Sequence, residues 1–219
     1  MILKDKLKIY GDRTAGPAIL LGLFEDDDSA EAIFNLAKEN SDRPFSLVAY
    51  QSNDWSHDFS IWPARSYDGS IYEGGGLETL ASLKDIINDL NSKVYIAGYS
   101  LAGLFSLWSL YESDLFDGCI CCSGSLWYEG FEEYVRDRHC QKEAFVYLSL
   151  GGKEEKTSNP LMAQIGIKTR SIDRLLDDDE RVLKHILRMN PGGHFASPEK
   201  RLAQGIAWII ENEQKTKAD

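Results

Sequence analysis

A serine flanked by small residues lies where an apolar run gives way to a helix-like pattern. The run Val94–Ala97 is followed by Gly98, then by Ser100 and Ala102 at two-residue spacing. A strand, a tight turn and a helix in that order form a nucleophile elbow, in which a strained turn lifts the serine hydroxyl above a sheet. The turn needs small residues two places before and after the serine, as here. We predict that Ser100 is a nucleophile; the alternative is an ordinary turn with serine as helix N-cap.

Such a serine needs a base, and the chain contains four histidines. His194 follows two glycines, directly after the last strand-like run and before the last helix-like segment. It also follows the serine in sequence, as the order serine, acid, histidine requires. His57 precedes the serine, His139 ends a predicted helix and His185 lies inside a predicted strand. We therefore predict that His194 is the base; the alternative is a loop residue that caps the final helix.

The acid that orients the histidine should follow a strand between these two residues. The run Phe145–Leu150 leads into Gly151, and two glutamates come shortly after it. Either carboxylate could hold the imidazole tautomer and stabilise the imidazolium. The spacing from Gly151 favours Glu154, with Glu155 as the alternative, and a third possibility is that both are solvated loop charges.

A tetrahedral intermediate also needs backbone N–H donors for its oxyanion. The N–H of Leu101 would lie at the N-terminus of the helix, where the helix dipole is positive. The second donor should come from the loop after an earlier strand. We expect it from Leu23 or Phe24, which follow the run Ala18–Leu21.

Short apolar runs alternate with amphipathic segments along the chain, which is typical of βαβ units with a mostly parallel sheet and helices on both faces. The predicted strands are Ala18–Leu21, Phe45–Tyr50, Val94–Ala97, Gly118–Cys122, Phe145–Leu150 and Val182–Met189, with an earlier strand near Leu7–Tyr10. The predicted helices are 29–40, 77–91, 101–112, 131–139, 160–178 and 198–212. With 219 residues, we predict a single α/β domain over residues 1–219.

One connection, between Tyr50 and Gly76, is longer than a loop that only joins two elements of a compact domain. It follows the carboxyl end of a strand, where ligands bind in open α/β sheets. Its aromatic residues, Trp55 and Trp62 among them, either wall a substrate pocket or hold the connection on the surface.

Composition excludes several other classes of function. A net charge of −11 disfavours nucleic acid and anionic membranes as partners. The N-terminal residues lack the apolar core of a signal peptide, so we expect a cytoplasmic protein. Three of the four cysteines crowd one predicted strand, with Cys119 and Cys121 on one face and Cys122 on the other. We expect reduced, buried cysteines and no metal site, because no second pair of ligands is evident.

Four segments together resemble the esterase-like group of α/β-hydrolases, which includes esterase D-like enzymes and siderophore (enterochelin-type) esterases. They read GYSLAGLFSLWSLY, FDGCICCSGSLWY, LSLGGKEE and GGHF. Tyr99 and Ala102 replace the histidine and first glycine usual in the group's first motif. The block Ser123–Trp127 is similar to a segment that borders the group's active site, so the resemblance implies that Trp127 lines the substrate pocket.

The resemblance implies an α/β-hydrolase fold without a large cap domain. It implies hydrolysis of a small-molecule carboxylic ester through an acyl-enzyme, with no cofactor. We expect Tyr99, beside the nucleophile, to contact substrate together with Trp127 and the tryptophans of the long connection. Two alternatives remain: an acyltransferase that uses the same triad, and a catalytically silent binding protein. The sequence makes no prediction about oligomeric state.

Overall fold

A seven-stranded sheet forms the centre of the computed structural model, which describes residues 7–24, 28–90 and 92–213. The strands are β1 (Lys8–Tyr10), β2 (Ala18–Phe24), β3 (Ser46–Ser52), β6 (Val94–Tyr99), β7 (Gly118–Cys122), β8 (Ala144–Gly151) and β9 (Val182–Asn190), in the spatial order β1-β3-β2-β6-β7-β8-β9. Strand β1 pairs antiparallel with β3, and the other neighbours are parallel. All of the parallel strands therefore end at one edge of the sheet.

Helices cover both faces of this sheet. They are α1 (Ala30–Glu39), α3 (Gly76–Ile87), α4 (Leu101–Glu112), α5 (Phe131–Arg136), α6 (Ile165–Asp177) and α7 (Pro198–Asn212). One buried apolar cluster joins α1 and α7 to one face, through residues such as Ile33 and Ile206. A second joins α3, α4 and α6 to the other face, through residues such as Leu83, Leu104 and Ile172. The predicted mostly parallel sheet with helices on both faces is confirmed.

The predicted strands are present, but three of them run two or three residues further than their apolar runs. Strand β2 continues to Phe24 because it stays paired with β3: Gly22 lies opposite Tyr50, and Phe24 lies opposite Ser52. Strand β6 continues to Tyr99, where it pairs with Cys122. Backbone pairing, and not side-chain hydrophobicity, fixes these ends, which is why a pattern of apolar residues underestimates them.

The long connection after β3 contains regular structure. A four-residue helix, α2 (Trp55–Asp58), begins after Asp54, whose side chain accepts from the His57 N–H. A hairpin of β4 (Ala64–Arg65) and β5 (Ile71–Tyr72) follows, turning at Gly69 with φ +89°. Within the described ranges, no separate cap domain lies over the sheet edge; the connection supplies only this small helix and hairpin.

The cysteines lie where the strand pattern predicted. All four are free and buried. Cys119 and Cys121 pack in the cluster on the α4 side of the sheet, and Cys122 packs on the α7 side. No helix in the described part of the chain is both long and apolar enough to cross a membrane.

Candidate active site

Ser100 occupies the predicted turn between β6 and α4 in a strained conformation, with φ 55° and ψ −120°. Non-glycine residues rarely adopt positive φ, and such residues concentrate at functional sites. The turn is held by bonds from the Ser100 N–H to the Cys122 carbonyl (3.0 Å) and from the Ser125 N–H to the Ser100 carbonyl (3.0 Å). A Cβ on Gly98 would lie 2.2 Å from the Ala102 carbonyl oxygen, so this position requires glycine.

The structure brings Ser100, His194 and Glu154 together. The Nε2 atom of His194 lies 3.1 Å from the Ser100 Oγ, and its Nδ1 lies 2.8 Å from Glu154 Oε2. The three residues follow the ends of β6, β9 and β8, so the parallel topology converges them at one sheet edge. This geometry allows His194 to accept the serine proton while Glu154 holds the Nδ1–H tautomer.

Glu154 is buried and densely hydrogen-bonded. Its Oε1 accepts from Ser123 Oγ at 2.7 Å, from the Gly151 N–H at 2.6 Å and from Arg201 Nη1 at 2.9 Å. Burial alone would raise the pKa of this carboxyl, but hydrogen bonds from His194, Ser123 and the Gly151 N–H outweigh it and hold the pKa below the ordinary value. Glu154 is therefore a carboxylate at neutral pH.

Glu155, the alternative acid, points elsewhere. Its Oε2 accepts from Arg170 Nη2 at 2.9 Å, and both side chains are more than two-fifths exposed. Of the two adjacent glutamates, the structure thus brings Glu154 alone to the histidine.

The other three histidines contact carboxylates away from Ser100. The Nδ1 of His57 lies 3.2 Å from Asp58, and that of His139 lies 3.3 Å from Asp179. His185 lies between Asp173 and Asp177, at 3.0 and 2.9 Å. Among the described residues, no group of three or more His, Cys, Asp or Glu side chains is arranged to hold a metal ion.

Leu101 and Phe24, whose backbone N–H groups we predicted to bind an oxyanion, line one cavity together with Ser100. Leu101 begins α4, where the first N–H groups of a helix lack intrahelical partners. Strand β2 pairs with β6 as far as Leu21 and then extends beyond that pairing. At its start, the Ala18 N–H donates to the Lys93 carbonyl at 2.9 Å, so the Ala18 N–H faces β6. Because N–H directions alternate along a strand, Phe24 directs its N–H toward the β6 side and Leu23 toward β3.

A cavity of about 640 Å³ opens beside Ser100 and His194. Aromatic residues from several elements line it, among them Phe24, Trp55, Tyr67, Trp127 and Phe195. Phe24 stacks on Trp55 with ring centroids 3.8 Å apart, and Tyr67 meets Trp127 edge-on at 6.5 Å. Phe24, Tyr67 and Phe195 are also exposed, at 54 %, 51 % and 90 %, so these lining side chains present apolar surface to solvent.

Solved structures with a similar fold include several hydrolases. An IroE-like serine hydrolase from Shewanella oneidensis superposes with a TM-score of 0.75 at 15% identity, over 94% of this chain and 75% of that one. The siderophore hydrolase EstB from Aspergillus nidulans gives 0.69 at 16%, over 94% and 90%. FphF, a fluorophosphonate-binding serine hydrolase of Staphylococcus aureus, gives 0.61 at 13%, over 93% and 91%. The chain has the α/β-hydrolase fold.

The resemblance suggested by the motifs is thus confirmed at the level of fold. Searches against protein-family models and against curated proteins gave no match. At identities this low, the similarity establishes the fold of this chain but not its activity or substrate.

Of the predicted substrate contacts, Trp62 lies outside the cavity, whereas Tyr99 lies in its lining. Trp62 does not line the cavity: its indole N–H donates to the Glu129 carbonyl at 3.0 Å, and its ring packs on Tyr134, 5.2 Å away. It holds the connection against α5, whereas Trp55 lines the cavity. Tyr99 also lines the cavity, but its hydroxyl donates to the His194 carbonyl at 2.5 Å.

Sequence reasoning missed Arg201 on α7 and the site role of Ser123. Arg201 is 2 % exposed, and its guanidinium contacts Glu154, Ser123, Tyr99 and the loop before His194. Ser123, directly after β7, has an unusual backbone φ of 45°, and its hydroxyl donates to Glu154 Oε1. A basic residue near the start of an amphipathic helix is typically solvated, so nothing local marked this arginine.

Proposed function

We propose that this chain is a serine hydrolase that cleaves a carboxylic ester through an acyl-enzyme. The observation that carries the proposal is the continuous hydrogen-bonded line from Ser100 Oγ through His194 to Glu154, at 3.1 and 2.8 Å, with the serine on a strained elbow. Siderophore and serine hydrolases among the proteins of similar fold agree with it.

In the first half-reaction, Ser100 Oγ attacks the ester carbonyl carbon while His194 Nε2 takes the serine proton. The carbonyl oxygen becomes an oxyanion, which the N–H groups of Leu101 and Phe24 stabilise. The intermediate collapses as His194 returns the proton to the leaving alkoxide, which departs as an alcohol. Glu154 remains ionised throughout and stabilises the imidazolium.

In the second half-reaction, His194 takes a proton from water, and the resulting hydroxide attacks the acyl carbonyl. Collapse releases a carboxylic acid and returns the proton to Ser100. Each step moves protons through this chain's own side chains, so the proposed cycle requires no cofactor.

The lining of the cavity supports a proposal about the class of ester. Among its described lining residues there is no lysine or arginine, whereas Asp68 and Glu199 are acidic. An anionic ester would enter without a counter-charge, and the aromatic walls favour apolar groups or cations. We therefore propose a bulky neutral or cationic ester as the substrate.

The test is hydrolysis of p-nitrophenyl esters from acetate to octanoate, by the wild type, Ser100→Ala and Ser109→Ala. Ser109 is a matched control, because it is buried on the same helix and its hydroxyl bonds the Phe105 carbonyl. We expect activity in the wild type and the control and none above background in Ser100→Ala. A fluorophosphonate should label the same two proteins.

The two alternatives predict other results. An acyltransferase would form a new ester when an alcohol acceptor is added, in preference to the free acid. A silent binding protein would neither turn over any ester nor react with the fluorophosphonate, and this outcome would overturn the proposal.

A further inference from the structure

Arg201 stands behind the triad, and its guanidinium contacts both Glu154 and the loop that precedes His194. Nη1 donates to Glu154 Oε1 at 2.9 Å, to Ser123 Oγ at 2.8 Å and to Tyr99 OH at 3.0 Å. Nη2 donates to the carbonyls of Gly193 at 2.9 Å and Pro191 at 3.2 Å. We infer that Arg201 is a positioning residue, which fixes both the orientation of Glu154 and the loop that carries His194.

The orientation of Glu154 follows from how its two oxygens are shared. Three donors, Arg201, Ser123 and the Gly151 N–H, occupy Oε1. Oε2 is then directed to His194 Nδ1. Charge-assisted bonds to a guanidinium are stronger and more directional than neutral ones, so Arg201 adds to the restraint that Ser123 and the Gly151 N–H place on Oε1.

The loop of residues 191–194 depends on the same guanidinium. Its carbonyls at Pro191 and Gly193 accept from Nη2, and the Tyr99 hydroxyl, itself bonded to Nη1, donates to the His194 carbonyl. A Cβ on Gly151 would lie 2.8 Å from Nη2, so this glycine allows the arginine to reach the loop. The base and the acid are therefore aligned by one rigid planar group.

Its burial shows that the group is not a surface charge. Arg201 and Glu154 side chains are 2 % and 3 % exposed. The other titratable groups facing Glu154 are His194, Tyr99 and Cys122. Burial raises the pKa of the Tyr99 hydroxyl and of the Cys122 thiol to about 12 each, so both are neutral and Arg201 is the cation that balances the carboxylate.

The inference rests on the proposed ester hydrolysis and predicts a specific kinetic signature. Arg201→Lys keeps the charge but loses the planar fork, and Arg201→Ala loses both. We expect kcat to fall about 10- to 100-fold in Arg201→Lys and further in Arg201→Ala. KM should change little, because Arg201 does not line the cavity.

The pH profile separates positioning from simple support of the fold. Without the guanidinium, the ionised form of Glu154 loses a favourable partner, so its pKa rises. The acid limb of kcat/KM reports the proton bound by the coupled Glu154–His194 pair, which loses a nearby positive charge in Arg201→Ala, so the limb should move to higher pH by about one unit. Guanidinium ion at millimolar concentration should partly restore the kcat of Arg201→Ala, whereas ammonium at the same ionic strength should not.

Arg181→Met is the matched control. Arg181 also donates through Nη1 to two carbonyls, those of Cys140 and Gln141, but at the start of β9, the opposite sheet edge from the triad. It should destabilise the fold without moving the pH profile.

An inactive wild type would refute the proposed function itself. An active wild type with unchanged pH profiles in the Arg201 variants would overturn the inference alone. Loss of folding in both Arg201 variants would also overturn it, in favour of a purely structural role.

Discussion

Replacing each of the two adjacent glutamates by glutamine separates the triad acid from its neighbour. In Glu154→Gln, the side-chain amide has one acceptor oxygen, and three donors converge on the position of Oε1. The oxygen must therefore face these donors, and the NH₂ group is left facing His194 Nδ1, which was 2.8 Å from the carboxylate. An NH₂ donor forces Nδ1 to accept, so the imidazole proton moves to Nε2.

This is the wrong tautomer for a base, because Nε2 can no longer accept the proton of Ser100. The equivalent acid-to-amide change in the chymotrypsin-type triad lowers kcat about 10⁴-fold. We expect a loss of about 10³- to 10⁴-fold here, or about 4 to 5.5 kcal/mol of transition-state stabilisation. The measurement is kcat on the best p-nitrophenyl ester, with folding checked by thermal unfolding.

Glu155→Gln is the control, since it makes the same chemical change one residue away. It removes an exposed pair with Arg170, which is worth at most about 1 kcal/mol of stability and touches no reacting atom. We expect wild-type kcat. The reasoning fails if Glu154→Gln keeps a tenth of the activity, or if Glu155→Gln loses as much as Glu154→Gln.

Three further predictions test the oxyanion donor, the packing of the long connection after β3 and the loss of stability at low pH. Phe24→Pro removes the N–H assigned to the oxyanion and should lower kcat about 10²- to 10³-fold. Phe24→Ala keeps that N–H and should lose far less activity. Equal losses in the two variants would refute the assignment. Trp62→Phe removes the bond to the Glu129 carbonyl and should cost about 0.5–1.5 kcal/mol in urea unfolding, with unchanged kcat/KM. Because the folded-state pKa of Glu154 is lowered, its contribution to stability is present above its unfolded pKa of about 4.3 and lost as pH falls below it. Wild type should therefore lose more stability than Glu154→Gln between pH 6 and pH 3 in melts, and parallel curves would contradict this.

The framework of this fold was predictable because its strands carry a strong local signal. Runs such as Val94–Ala97 and Phe145–Leu150 are buried on both faces, and only a sheet covered by helices on two sides requires that pattern. The parallel order then places the residues after these runs at one edge. That step, from local pattern to shared edge, is how Ser100, Glu154 and His194 could be selected without coordinates.

The hairpin β4–β5 shows where the local signal was present but too short. Asp68 and Gly69 form an Asp-Gly turn, a strong hairpin indicator, with Asp68 Oδ1 accepting from the Ser70 N–H at 2.9 Å. The strands on either side have only two residues each, too few for a period of two to be recognised. The choice between Trp55 and Trp62 depends on where this hairpin and α5 lie, so sequence left both options open.

The role of Arg201 could not be predicted for a different reason: it depends entirely on tertiary contacts. The residue lies on an amphipathic helix 47 residues from Glu154, and its other partners come from β6, from Ser123 directly after β7 and from the loop after β9. An isolated buried arginine would be strongly unfavourable, so the pattern rules place it in solvent. Only the assembled sheet edge supplies five acceptor groups within reach of one guanidinium.

The position of this cation reconciles two conflicting demands on the triad. A carboxylate that stabilises an imidazolium must keep its negative charge, yet a buried carboxylate needs partners to remain ionised. Any cation that ionises Glu154 also opposes the positive charge that develops on His194. The structure separates the two effects by geometry: Arg201 contacts Oε1 and His194 contacts Oε2, so the carboxylate lies between the two cationic groups. The carboxylate therefore attracts the imidazolium more closely than the guanidinium repels it. A lysine reaching the same oxygen would supply the charge, but it could not also bind the carbonyls that fix the His194 loop.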